Sequence, residues 1–476
     1  MLNPAVRYDD VIVGGGTAGC VLAARLSEDV DRSVCLVEAG PDYGPLGDGR
    51  WPEEMVTARF MPRSHDWGTG AEDERSLGAR IIGGCSAHNA SCILVGTPAD
   101  YDGWGDAWSY RAFRPYLARA KTTLRTATAN TNRPAIFHTA FLEAAQGLGF
   151  PLLPDPNDPA QPVGVAPFPA NVVDGTRWNT AFAYLDPARH RSNLTVVPET
   201  VVERVLLDGP RATGVLTGRG RIEAGRVVLA AGTYFTPAIL VRSGIGPEPE
   251  LRRLGVSVAA VLPVGERLLD HYGAALAWQP TEHLHRELAA SEPLFEAHVI
   301  LKAASSGCPP GSLDLHFPSW VNRREDEPGR FEVRLASFLM QPRSCGRVRV
   351  RSVDGADLPL VEHGFLTDAR DLPVLLEALE LGRRVAATHP LRELIAEELR
   401  PGTVEPEQFL RERVSTYYHP VGTCPIGSVV DAEGRVLGFD NLAVADASIM
   451  PTIPRANTNI TVVAIAERLA ERLRAS

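Results

Sequence analysis

The stretch YDDVIVGGGTAGCVLAARLSEDVDRSVCLVE (residues 8–38) reads in order as strand, glycine turn, helix, strand and acid. Residues 8–13 are a short apolar run ending at Gly14. A helical pattern follows over 17–26, with Val21, Leu22, Ala24 and Leu26 on its turns. Residues 33–37 form a second buried strand that stops at Glu38. Gly14, Gly16 and Gly19 fill the G-x-G-x-x-G positions. The first allows the tight turn, the second lets backbone approach a pyrophosphate, and the third lets helix pack closely on strand. Thr17 and Ala18 open the helix, whose N-terminus would face the phosphates. Glu38 comes about 20 residues on, with Ala39 beside it, placed to accept hydrogen bonds from ribose hydroxyls. A carboxylate there disfavours a 2'-phosphate. The unit predicts dinucleotide binding but does not separate FAD from NAD.

Two later segments have the same buried-strand character: residues 226–231 (RVVLAA) and 441–446 (NLAVAD). One parallel sheet is therefore built from distant parts of the chain. The expected fold is α/β (α+β overall), with a discontinuous Rossmann-type domain and an inserted antiparallel-sheet domain. The nucleotide domain is expected at 1–155, 190–275 and 420–476, and the substrate domain at 156–189 and 276–419. Alternating runs between 283 and 350 predict antiparallel strands. Periodicity turns helical over 371–399, and the chain closes on an amphipathic helix over 461–474.

The chain has 476 residues, 44% apolar and 22% charged, a globular balance too long for one core. A net charge of -10 argues against a non-specific nucleic-acid partner, which needs concentrated Lys and Arg. No apolar run reaches the roughly 20 residues of a membrane span. Seven scattered cysteines without a C-x-x-C pair predict free thiols, no zinc site and no other metal. With no room for a signal peptide before residue 8, the expected compartment is the cytoplasm. Only Lys121 and Lys302 represent lysine, and neither sits in anything resembling a site, so a Schiff-base lysine is not expected.

Five further segments carry a resemblance. Residues 81–104 (IIGGCSAHNASCILVGTPADYDGW), 230–247 (AAGTYFTPAILVRSGIGP), 264–271 (VGERLLDH), 417–427 (YYHPVGTCPIG) and 441–459 (NLAVADASIMPTIPRANTN) resemble, in order, motifs of the glucose-methanol-choline oxidoreductase family. Arg267 stands where that family commonly has Asn. The resemblance implies FAD, held in a Rossmann-type domain beneath an antiparallel-sheet substrate domain. It implies His419 as the active-site histidine and Asn457 as its partner. It further implies cofactor contacts from Gly83, Gly84, Asn89, Ala90, Val202, Ala231, Gly232, Asp446, Ala447 and Thr458. These residue types suit removal of hydride from an alcohol: an imidazole takes the hydroxyl proton and an amide holds the developing alkoxide. Asn457 sits just ahead of the amphipathic C-terminal helix, which would point its positive end at the flavin edge that the resemblance places there, where negative charge gathers on reduction.

His88 stands where most family members have an aliphatic residue. GGCSAHN is similar to choline oxidase, in which the histidine at this position is bonded to the flavin 8α carbon, so His88 is a candidate covalent FAD link. Elsewhere the likeness weakens: Ala90 replaces a serine and Tyr417 a small aliphatic residue. Tyr418 and Glu296 match an aromatic and a carboxylate of choline enzymes, and with Tyr417 they are the candidate substrate-pocket residues. The expected partners are a small-molecule alcohol and O2 or another electron acceptor. Other readings keep the fold: a choline-type enzyme proper, a lyase-like relative without redox chemistry, or a non-catalytic FAD-binding protein.

Overall fold

The structure, a computed structural model, describes residues 7–59, 61–68, 78–127, 135–291, 299–324 and 327–475. Arg7–Val13, Val34–Val37, Leu194–Val197, Gly220–Leu229 and Leu442–Val444 pair parallel, in the spatial order 194–197, 34–37, 7–13, 220–229, 442–444. The N-terminal half of Gly220–Leu229 pairs instead with Arg211–Thr217, which continues antiparallel to Val202–Asp208. Val11, Ile12, Val34, Cys35, Leu36, Val227 and Val228 are all fully buried. Strands covered on both faces read as continuous apolar runs, which is why these segments stand out in the sequence. Helices Thr17–Leu26 and Thr458–Ala475 share that core.

The second sheet is antiparallel, in the order Ile395–Arg400, Tyr272–Pro280, Phe331–Leu339, Leu315–Arg323, Val299–Ala303, Gly164–Pro167. The short strand Ser415–Thr416 also pairs with Tyr272–Pro280. One face, including Leu301, Leu315, Phe317, Leu335 and Leu276, packs under helices Ile136–Gly147 and Asp371–Ala386. The opposite face meets the nucleotide domain where Ile300 packs with Leu94 and Ala456, beside Phe168; on the same face Ala336 and Phe338 pack with Tyr417.

Three details differ from the sequence reading. Residues 282–291, placed among strands, form a helix (Glu282–Ser291). The helical stretch over 371–399 ends at Ala386, and its tail becomes the strand Ile395–Arg400. Residues 181–188, placed in the substrate domain, pack in the nucleotide core, whereas helix Ile136–Gly147, placed in the nucleotide domain, packs on the antiparallel sheet. Both are short amphipathic pieces, whose sequences carry a buried face but not the identity of the sheet it covers. Among the described residues, no helix is long and apolar enough to cross a membrane.

Candidate functional site

At the nucleotide end, Gly14 has φ +99°, a backbone conformation that favours glycine. A Cβ on Gly19 would lie 1.8 Å from the Gly14 carbonyl oxygen, so helix and turn touch backbone to backbone. We expect Gly19→Val to destabilise the fold by the cost of overpacking, about 1–3 kcal/mol or more, to lower Tm accordingly, and to release FAD. A melt with and without added FAD checks this, and an unchanged Tm with full flavin content would contradict it.

Gly83 donates its N–H to the Gly15 carbonyl at 2.7 Å, and Gly84 lies so close that a Cβ there would sit 2.6 Å from the Gly16 Cα. Residues 81–84 therefore form the second wall of the phosphate turn. Glu38 is buried and accepts the N–H groups of Gly15 and Gly40, each at 2.7 Å. Burial pushes its carboxyl up to about 7, against these two donors, which favour the anion. Arg80 Nε donates to the Ala39 carbonyl. Val202 opens its strand buried. Asp446 is buried and already accepts from Gly232 N at 2.8 Å, Thr236 Oγ1 at 2.6 Å and Ser448 N at 2.8 Å. It thus ties the segments around Ala231 and Ala447 together. This cradle fits an extended dinucleotide: a glycine turn on a helix N-terminus, a buried acid one strand away, and walls with no room for Cβ atoms.

His88 ends the short helix Cys85–His88, next to Asn89, whose Oδ1 accepts the Ser91 N–H. Its Nε2 donates to the Ser64 carbonyl at 3.0 Å, which leaves Nδ1 with the lone pair. Burial lowers its pKa, so the ring is neutral.

His419 is held by residues 269–273 and 415–421 running antiparallel. Leu269 and Val421 exchange both backbone hydrogen bonds, and Tyr417 N–H donates to the His271 carbonyl. Buried Asp270 accepts the His419 backbone N–H at 2.9 Å and the Thr416 hydroxyl at 2.5 Å. The rings of His271 and His419 then meet edge to face, Nδ1 to Nδ1 at 2.9 Å. On the other side, His419 Nε2 lies 3.1 Å from Asn457 Nδ2, one residue before helix Thr458–Ala475. All three side chains are buried. Asn457 Oδ1 and His271 Nε2 have no hydrogen-bond partner among the described residues. Burial pushes the His419 pKa down to about 3 and that of His271 well below 6.5, so both rings are neutral.

Tyr417 stacks on Phe338 with centroids 3.9 Å apart and lies 4.4 Å from the His419 ring. Tyr418, in contrast, is 66% exposed with φ +63°. Glu296 lies outside the described residues. Sequence reasoning missed His271, Asp270, His316 and Lys302. The first two close the VGERLLDH motif, which was the available signal. Contrary to the sequence reading, Lys302 is in a site-like setting: it is buried on the face of the antiparallel sheet that meets the nucleotide domain.

Family models described as GMC oxidoreductase match residues 8–273 and 342–466. The chain belongs to the GMC oxidoreductase family. It is 32% identical to the mitochondrial choline dehydrogenase of Homo sapiens, over 98% of this chain and 89% of that protein. It is 33% identical to the oxygen-dependent choline dehydrogenase of Paraburkholderia phymatum, over 99% and 93%. Among solved structures, pyridoxine 4-oxidase from Mesorbium loti matches with TM-score 0.86 and 29% identity, covering 99% of this chain and 100% of that one. A formate oxidase variant from Aspergillus oryzae RIB40 shares the fold, with TM-score 0.85 at 22% identity over 100% and 99%. This GMC oxidoreductase is therefore FAD-dependent and acts on CH–OH donors, with a small-molecule alcohol as substrate and an electron acceptor.

Proposed function

We propose that this GMC oxidoreductase converts a primary alcohol to its aldehyde, with His419 as the base and Asn457 as the oxygen holder. The observation that carries this reading is the buried file His271–His419–Asn457. A contact between two Nδ1 atoms needs one donor and one acceptor. We assign the proton of neutral His271 to Nε2, the ring nitrogen that does not meet His419. His271 Nδ1 is then the acceptor, His419 Nδ1 the donor, and His419 Nε2 keeps its lone pair beside Asn457. A hydroxyl placed there gives its proton to Nε2 while the Asn457 amide N–H supports the oxygen. The resulting imidazolium still donates from Nδ1 to His271. FAD, when bound, supplies the acceptor for the hydride that leaves the carbinol carbon. Gly14, Gly16, Gly19, Thr17, Ala18, Gly83, Gly84 and Glu38 would hold its nucleotide end. O2 or another acceptor regenerates the oxidised cofactor, and hydration of the aldehyde permits a second oxidation to the acid. The seven cysteines, all free, support a reducing, cytoplasmic compartment.

The test is an alcohol panel assayed with an artificial electron acceptor: aldehyde should form in step with acceptor reduction. Acceptor reduction with no alcohol in the panel would reject the reading.

His88 is proposed as a covalent FAD link, supported by its neutral ring and by an Nδ1 that keeps its lone pair. Acid precipitation should leave yellow flavin in the protein pellet, whereas His88→Ala should release all of it to the supernatant. Release from the native protein would rule the link out.

A further inference from the structure

In the antiparallel sheet, Lys302 is the register partner of His316, and His316 of Phe338. Such partners share a face, with Cβ atoms about 5 Å apart. This face is the one that meets the nucleotide domain: Ile300, two residues before Lys302, packs on Ala456, the neighbour of Asn457. Phe338 stacks on Tyr417, Tyr417 lies tilted against His419 at 4.4 Å, and the His316 ring lies edge-on to Tyr417 at 6.4 Å. One row of side chains thus runs from the proton-accepting histidine to a buried amine.

Two features of this row call for a ligand. His316 is fully buried, and neither ring nitrogen has a hydrogen-bond partner among the described residues. A buried polar atom left unpaired is costly, so such atoms normally meet a partner. Lys302 is also buried, and its amine donates to the Pro156 carbonyl at 2.7 Å, one of the three donations an ammonium can make. The carboxylates nearest to it in charge, Asp155 and Asp158, are exposed to solvent. Burial lowers the amine to about 8, so it remains mostly charged at neutral pH.

We propose that Lys302 and His316 form the remote end of the substrate site and select an alcohol whose far end accepts hydrogen bonds and carries no positive charge. This rests on the alcohol-oxidising reading of His419 and names the substrate class of that site. It separates this chain from enzymes for cationic alcohols: a quaternary ammonium group would face the Lys302 ammonium and offer His316 no acceptor.

The test is calorimetric binding to the oxidised holoenzyme, which does not require turnover. Three ligands are compared: choline, its uncharged isostere 3,3-dimethyl-1-butanol, and 4-hydroxybutanoate. Choline should bind about tenfold or more weakly than the isostere, as expected for like charges in a partly dry site, and 4-hydroxybutanoate more tightly than either. Lys302→Met should bring choline and the isostere within about threefold and weaken 4-hydroxybutanoate about tenfold or more, while Lys302→Arg keeps the native order. Choline binding as well as the isostere, no binding by any of the three, or an unchanged order in Lys302→Met would overturn the proposal. A lysine that only tethers residues 154–158 would lower Tm in Lys302→Met and leave the order intact. If the order holds but no alcohol reduces the flavin, the oxidase reading fails and the subsite stands.

Discussion

Replacing His419 with alanine lowers kcat/KM for the alcohol by about 10²–10⁴, the usual contribution of a positioned general base. FAD content and Tm stay near native, because Asp270 holds the backbone N–H of residue 419 rather than the ring. Steady-state kinetics on flavin-matched preparations checks this; a loss under about threefold would remove His419 from proton transfer. The pH dependence follows from the same burial. With its pKa pushed down to about 3, His419 is already neutral at every higher pH. The rate step that needs the free base should therefore show no acid limb near 6.5. Stability behaves differently. Below 6.5 the unfolded histidine takes a proton that the folded one refuses, so stability is lost as pH falls from 6.5 towards 3, by up to about 1.4 kcal/mol per pH unit. Glu38, raised to about 7, opposes this between its unfolded value of 4.5 and 7, where the folded state holds the extra proton. The His419→Ala variant should therefore have a flatter acid slope of Tm than the native chain.

The second large effect belongs to His271, a positioning residue. Glutamine there keeps a donor near the Nε2 position but loses the acceptor that faces His419 Nδ1. Asparagine keeps an acceptor near Nδ1. We expect His271→Gln to lose about 10²-fold in kcat, as when a base is left in the wrong tautomer, and His271→Asn to retain activity within about tenfold. Ring ¹⁵N shifts in the native protein should show His419 protonated at Nδ1 and bare at Nε2. Equal losses in both variants, with a native nitrogen pattern, would reduce His271 to a packing residue.

The two ends of the site differ in how legible they were in the sequence. Gly14, Gly19 and Glu38 are visible because strand, turn, helix and acid are consecutive, and each residue type answers a local steric or polar demand. His419 and Asn457 lie in motif-like segments whose resemblance to a family marks them. His271 was in view at the end of VGERLLDH, but its meaning depends on residues 269–273 lying antiparallel to 415–421. Lys302 and His316 were hidden for a stronger reason. Alternation shows that residues 300, 302, 316 and 318 avoid the helix-covered face, yet the strand register that pairs Lys302 with His316 is a long-range property. The exposed Tyr418 and the stacked Tyr417 make the same point: the backbone turns at Tyr418, with φ +63°, and sends it to solvent while Tyr417 stays against the histidine, a local turn that the sequence does not mark.

The most direct measurement of the central claim is anaerobic mixing of the purified holoenzyme with uncharged and anionic primary alcohols while the flavin spectrum is followed. The hydride-transfer account predicts that at least one bleaches the oxidised flavin band in the native protein and that the same alcohol fails to do so, at comparable concentration and time, in His419→Ala. A flavin that stays oxidised with every alcohol, or bleaches equally fast without His419, would contradict it.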